Sequence, residues 1–181
     1  MNNQNTDRIE IPVSKSKLLG LLVGAAVFFV VGIFLYITPE SFVSVQFKDT
    51  QTMMLMGIAG ILFSGVTLIF GIRKLLNKKP GLIIDQQGIT DNTTASSAGL
   101  IEWNDITAIE TKKVLTNRFM LIRVSNPDYY LNRVNGLKQK ILRENLDLYE
   151  TPISITTSTL KCTFQELEKL LNEKFNENRI K

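Results

Sequence analysis

The densest cluster of groups able to do chemistry is Glu102-Trp103-Asn104-Asp105, two carboxylates flanking an indole and an amide. A carboxylate pair can divide into general acid and general base when its surroundings push the two pKa values apart. The plainer role is structural, with Trp103 closing one end of a barrel-like core and Asp105 capping a turn. Cys162 lies between Lys161 and Thr163 where a strand gives way to a helix. A helix N-terminus can lower a thiol pKa there, whereas a buried thiol is inert. Beyond these the chain offers little. It has no histidine, so the commonest acid–base catalyst and metal ligand is missing. That excludes a Ser–His–Asp triad, a Cys–His pair and a His-ligated zinc site. No run of clustered Asp and Glu proposes a hard-cation site. A single cysteine cannot form an intrachain disulfide, so nothing argues for an oxidising compartment. The residues therefore read as those of a non-enzyme, with no catalytic, metal-binding or cofactor-binding group.

The elements that would position these residues are sharply segregated. Hydrophobic residues make up 44% of the 181-residue chain, but the long apolar runs fall in its first 72 residues. Residues 18–37 are 20 uncharged residues, 14 of them Leu, Val, Phe or Ile. As a helix this run spans about 30 Å, the thickness of a bilayer's hydrocarbon core. A signal peptide has a shorter apolar region ending in small residues; this one ends in Phe-Leu-Tyr-Ile. Residues 53–72 form a second uncharged run, in which Gly57, Gly60, Ser64, Thr67 and Gly71 recur at helical spacing on one face. Such a face lets membrane helices approach closely. It is expected to pack on the first span; the sharper alternative is a homo-oligomer or a partner's helix, for which Gly20 and Gly24 offer a GxxxG pair. Neither span carries a charge, which argues against an ion path through this chain alone.

Three Lys or Arg precede the first span, four follow the second (Arg73, Lys74, Lys78 and Lys79), and residues 38–52 between them hold only Lys48. Because Lys and Arg concentrate on the cytoplasmic side, both termini are expected inside, with 38–52 as a short external turn. The predicted organisation is a cytoplasmic tail at 1–17, a transmembrane hairpin at 18–72 (spans 18–37 and 53–72), a basic linker at 73–80 and a cytoplasmic domain at 81–181. The four linker cations would meet anionic headgroups. Residues 80–181 hold 13 basic and 13 acidic residues. The net charge of +4 is therefore a juxtamembrane feature, and nothing biases the soluble part toward nucleic acid.

The domain reads as short strands at 82–85, 89–91, 99–103, 106–113, 119–124 and 153–157, with a turn at 114–117. A helical stretch at 128–149 interrupts them, with Tyr130, Val134, Leu137, Ile141 and Tyr149 near one face and Gly136 weakening it as a single straight helix. Thr163 and Glu166 form a capping box that opens the last helix, whose stripe is Phe164, Leu167, Leu170, Leu171 and Phe175.

The motifs GLIIDQQGITDN, GLIEWNDI, NPDYYLNR, TPISITTSTLK and FQELEKLL, with the N-terminal hairpin, resemble an uncharacterised bacterial membrane-protein family having two N-terminal spans and a cytoplasmic pleckstrin-homology-like (PH-like) domain. The resemblance implies a membrane α-helical hairpin plus an α+β domain. Its fold would be a strongly bent antiparallel PH-like sheet closed by a C-terminal helix, with a helical insertion before the last strand. It brings no catalytic residue, cofactor or ligand. The expected function is a non-enzymatic, membrane-tethered binding or scaffolding module in the bacterial inner membrane; the alternative is an accessory subunit of a membrane enzyme or transport system. The expected partners are the lipid bilayer, other proteins and a second copy of the chain. The insertion carries the candidate contacts for protein or headgroups, Arg133, Lys138, Lys140 and Arg143 beside Tyr129 and Tyr130.

Overall fold

The computed structural model describes residues 8–42, 49–94 and 97–179. The chain forms two compact units: one is the continuous stretch Lys15–Lys78, and the other joins residues 8–14 to 79–179. Elements are numbered in chain order.

In the helical unit, α1 covers Lys15–Ile37 and α2 covers Thr50–Leu76, with a short 3-10 turn at Pro39–Phe42. Both helices are long and apolar enough to cross a bilayer. Residues 43–48 of the expected external turn lie outside the described residues. Asp49 starts α2 by accepting the backbone N–H of Gln51 at 3.1 Å and of Thr52 at 3.3 Å, a carboxylate N-cap. The helices run antiparallel, Gly57 against Gly32 near one end and Gly71 against Leu22 near the other. A Cβ on Gly57 would come within 2.8 Å of the Gly32 carbonyl oxygen and the Tyr36 nitrogen, so only glycine allows this backbone approach. Ser64 is buried on the same face, with its hydroxyl donating to the Gly60 carbonyl at 2.5 Å. The small-residue stripe thus packs within the hairpin. Thr67 departs from it, being exposed and bonded to the Phe63 carbonyl of its own helix. A Cβ on Gly20 or on Gly24 would meet nothing within 4 Å.

The second unit is α+β. Strand β1 (Ile9–Ile11) pairs with β2 (Leu82–Ile84), β2 with β3 (Gly88–Asp91), and β3 with β4 (Gly99–Glu102), every pair antiparallel. A 3-10 turn, Trp103–Asp105, leads to β5 (Ile106–Val114), which pairs with β6 (Asn117–Val124), and β6 pairs with β7 (Ile153–Ile155). Between β6 and β7 the chain makes α3 (Pro127–Asn132) and α4 (Leu137–Tyr149), and it ends in α5 (Phe164–Arg179). The period of two along the strands buries Leu82 and Ile84 from β2, Met120 and Ile122 from β6, and Ile153 and Ile155 from β7. These side chains share one apolar core with Phe164, Leu167, Leu171 and Phe175 of α5. Each such side chain contributes about 1.5–3 kcal/mol by leaving water. The capping box is present: Glu166 accepts the Thr163 N–H at 2.7 Å, and Thr163 Oγ1 accepts the Glu166 N–H at 3.3 Å.

Three boundaries differ from the expected ones. The tail at 1–17 is not merely a tail, because Ile9–Ile11 is a strand of the sheet. Its three residues are too short for a periodic signal, so only long-range pairing makes them a strand. The linker at 73–80 is shorter: α2 continues through Leu76, placing Arg73 and Lys74 in its last turn, where cations suit the negative end of the helix dipole. The inserted helix at 128–149 is two helices, because Gly136 takes φ 63° and restarts the helix between them.

Two predictions follow from this packing. A chain in which residues 15–78 are replaced by a short Gly/Ser linker should unfold cooperatively. A chain of residues 80–181 alone loses buried Ile11 and bares the β2 edge, and should be less stable by roughly 2 kcal/mol or more in urea unfolding. In detergent, Gly57→Leu should lower the helical unfolding temperature of the full chain by several degrees, while Gly24→Leu leaves it unchanged; circular dichroism reads both.

Candidate docking surface

The acidic and aromatic cluster at 102–105 is built into the fold. Trp103 is buried, and its indole N–H donates to the Asp85 carbonyl at 2.8 Å, holding the β2–β3 turn. Asp85 itself accepts the N–H of Gln87 at 2.9 Å and of Gly88 at 3.3 Å. The Asp105 carboxylate accepts the Tyr130 hydroxyl at 2.7 Å, and the Asp105 carbonyl accepts the Ser125 N–H. The cluster therefore ties the β2–β3 turn and the segment after β6 to α3, with Asp85 rather than Asp105 capping a turn. Burial, followed by the Asp105 hydrogen bond and charge, holds the Tyr130 phenol well above its ordinary pKa.

That geometry corrects one candidate contact. Tyr130 is 1% exposed and packs in the core, so it presents no docking surface. Its neighbour Tyr129 is 46% exposed and meets the Tyr130 ring edge-on at 5.3 Å. Arg133 is exposed, donates to the Leu100 carbonyl at 3.1 Å and lies 5.3 Å over the Tyr129 ring. It fastens the end of α3 to β4 as well as displaying charge. Lys140 and Arg143 are exposed on α4, and Lys138 is half-buried.

One residue of this surface departs from the face expected for it: Leu137, on the Tyr130 side of a continuous helix by sequence, is 74% exposed, and Leu148 is 71% exposed. The break at Gly136 resets the helical phase, so Leu142, 2% exposed, is the residue that faces inward. The outer face of α4 then carries Leu137, Lys140, Arg143, Glu144, Asp147 and Leu148. Charges of both signs lie there, with no net preference for an anionic surface.

On its inner side α4 borders a small cleft of about 120 Å³, lined by Asp91, Ser97, Leu142, Asn145, Ser154 and Thr156 among others. Asn145 donates from its amide to the Pro152 carbonyl and to Ser154 Oγ, both at 3.4 Å, stitching α4 to β7. The cleft is well below the roughly 300–1,000 Å³ of a typical ligand or cofactor site. Asp91 is 2% exposed and accepts both the N–H and the hydroxyl of Thr93, at 2.8 and 2.6 Å. Among the described residues no three Cys, Asp or Glu side chains converge as metal ligands. Cys162 is half-buried against the core. Lys78 and Lys79 are exposed in the connection after α2. Arg123 bridges Glu110 at 2.7 Å and Glu150 at 2.9 Å, and the hydrogen bond and charge of that guanidinium lower the Glu110 pKa.

Tyr130→Phe should destabilise the domain by about 1.5–3 kcal/mol, the value of a hydrogen bond to a charged acceptor. Thermal unfolding of the variant measures it, and an unchanged transition would show that the Asp105 contact contributes nothing.

No family model, curated protein or solved structure matches this chain, so its functional reading rests on its own residues.

Proposed function

We propose that the chain is a non-enzymatic, membrane-tethered docking module of the bacterial inner membrane, with both termini cytoplasmic and the surface formed by α3 and α4 receiving a protein partner. The outward faces of α1 and α2 support the membrane reading. Leu19, Phe28, Phe34, Leu62, Phe63 and Phe70 are each more than half exposed, and apolar surface of that extent marks a membrane or a large interface. The distribution of Lys and Arg supports the orientation. An antiparallel sheet of four strands and another of three, an α5 that shares their core, and a helical pair before the last strand support a PH-like plan for the second unit.

The observation that carries the docking role is the pair Leu137 and Leu148 on the outer face of α4, with Tyr129 on α3 beside charges of both signs. Apolar anchors within a mixed polar rim are the composition of a protein interface rather than of a headgroup site. Tethering adds to this. The unit enters α1 directly after Ser14, and residues 77–80, which extend about 13–14 Å at most, connect it to α2. A membrane-bound partner is thereby met at high effective concentration.

A photo-crosslinking residue placed at Leu137 or Leu148 in the full chain, in native membranes, tests the proposal against the same residue at Gln165. A discrete adduct from both α4 positions, lost in a Lys140→Glu/Arg143→Glu variant that unfolds like the parent, is the expected result. Adducts no different from those at Gln165 would remove the α4 face as a docking surface.

A further inference from the structure

The β5–β6 hairpin reaches beyond its sheet. β7 pairs with β6 only at Met120, Leu121 and Ile122, so the residues from 112 to 119 form a two-stranded ribbon past the last ladder. Its turn is two residues, Leu115 and Thr116, between the paired Val114 and Asn117. Leu115 is 88% exposed and adopts φ 54°. Left-handed backbone at a two-residue hairpin turn favours asparagine, aspartate or glycine. A leucine there combines an unfavourable conformation with an unfavourable exposure. Strained residues of this kind persist where they serve a function.

The flanking charges point to what the tip meets. Lys112, Lys113 and Arg118 are exposed, and no acid occurs between 111 and 119. Lys113 and Arg118 are direct cross-strand partners, an arrangement of like charges that destabilises a hairpin unless an anion lies beside it. Glu110, the nearest acid along β5, is bound by Arg123. On the α5 side, Glu168 takes the Thr111 hydroxyl and Glu166 is engaged by Thr163. Arg118 lies over the Phe164 ring at 4.6 Å, holding the ribbon to the start of α5. This segregation contrasts with the α4 face, where Glu144 and Asp147 accompany Lys140 and Arg143.

We propose that the β5–β6 tip is a membrane-contact element. Leu115 enters the boundary between headgroups and acyl chains of the leaflet that the helical hairpin spans, while Lys112, Lys113 and Arg118 pair with anionic lipid phosphates. An apolar tip within a collar of cations matches the two parts of that boundary. The short connections of the unit to α1 and α2 keep a bilayer within reach. The inference rests on the membrane-spanning reading of α1 and α2 and is independent of the protein-docking role of α4.

The test uses the full chain in nanodiscs of phosphatidylcholine, with and without phosphatidylglycerol. A fluorophore sensitive to its surroundings is attached at Thr116→Cys in a Cys162→Ser background, so that Leu115 is retained. The expected result in anionic discs is a blue shift, quenching by nitroxide-bearing lipid and a several-fold loss of quenching by aqueous iodide. Lys112→Glu/Lys113→Glu should abolish all three. Leu115→Asn should abolish them too while leaving the melting temperature equal or higher, because asparagine suits the turn. A probe equally open to iodide in both kinds of disc would overturn the proposal. So would a probe shielded from iodide but not reached by the lipid quencher, since a second copy or another protein would then cover the tip. Failure of the chain to enter discs at all would overturn the membrane reading and this inference together.

Discussion

The pairing of β1 with β2 is the constraint on which the rest depends. Ile9, Glu10 and Ile11 lie opposite Ile84, Ile83 and Leu82, so one sheet is made from chain on both sides of the helical hairpin. The ladder is short, but it is extended at its exit. The Gly81 N–H donates to the Ile11 carbonyl, the Lys161 N–H to the Pro12 carbonyl and the Ser14 N–H to the Thr159 carbonyl, and Val13 bridges Leu160. The chain is therefore fastened continuously from β1 up to the residue before α1. Closing a loop as long as residues 12–81 would be entropically costly for a flexible chain. The antiparallel packing of α1 on α2 returns the chain to the end it left, and so shrinks the loop that the β1–β2 pair must close. The Gly57–Gly32 approach that sets this packing supports a sheet it does not belong to.

Two consequences reach function. A sheet that takes strands from before and after the hairpin requires both segments to lie on one side of any membrane the hairpin crosses, so the charge-based orientation and the strand pairing agree on an even number of crossings. A unit attached at two points also has fewer orientations open to it than one on a single flexible tether. The two exposed apolar features of this unit differ in chemistry. The α4 face mixes both signs of charge around leucines, and the β5–β6 tip surrounds one leucine with cations alone.

Much of this was legible in the residues. The two helices long and apolar enough to cross a bilayer were legible by length and lack of charge. The small face of α2 followed from steps of three and four, and Gly57 and Ser64 lie against α1 as that spacing required. Strands β2 to β7 and the capping box of α5 arose from local alternation and turn chemistry, which are encoded nearby in sequence. What was missed is non-local. β1 becomes a strand only through a partner beyond the hairpin. Tyr130 looked like part of a polar, exposed motif, but its ring fills the core while its hydroxyl reaches Asp105. Leu137 was placed on the Tyr130 face by carrying one helical period across Gly136, and the left-handed backbone there breaks the phase. The β5–β6 tip carried a visible signal in the Lys112 to Arg118 cations around an isolated leucine. Its projection became evident only once the register with β7 was known.

The central claim, that the two ends of the hairpin meet in one sheet on one side of a membrane, can be tested in a single gel. Glu10 and Ile83 are direct cross-strand partners, and antiparallel partners lie about 4.5–5.5 Å apart at Cα, within disulfide range. A Glu10→Cys/Ile83→Cys chain in the Cys162→Ser background, with a protease site introduced between residues 43 and 48, is oxidised in intact cells stripped of their outer envelope and then treated with external protease. The account predicts cleavage from outside, with two fragments that stay joined without reductant and separate with it. Fragments that part without reductant, or a site cut only after the membrane is broken, would contradict it.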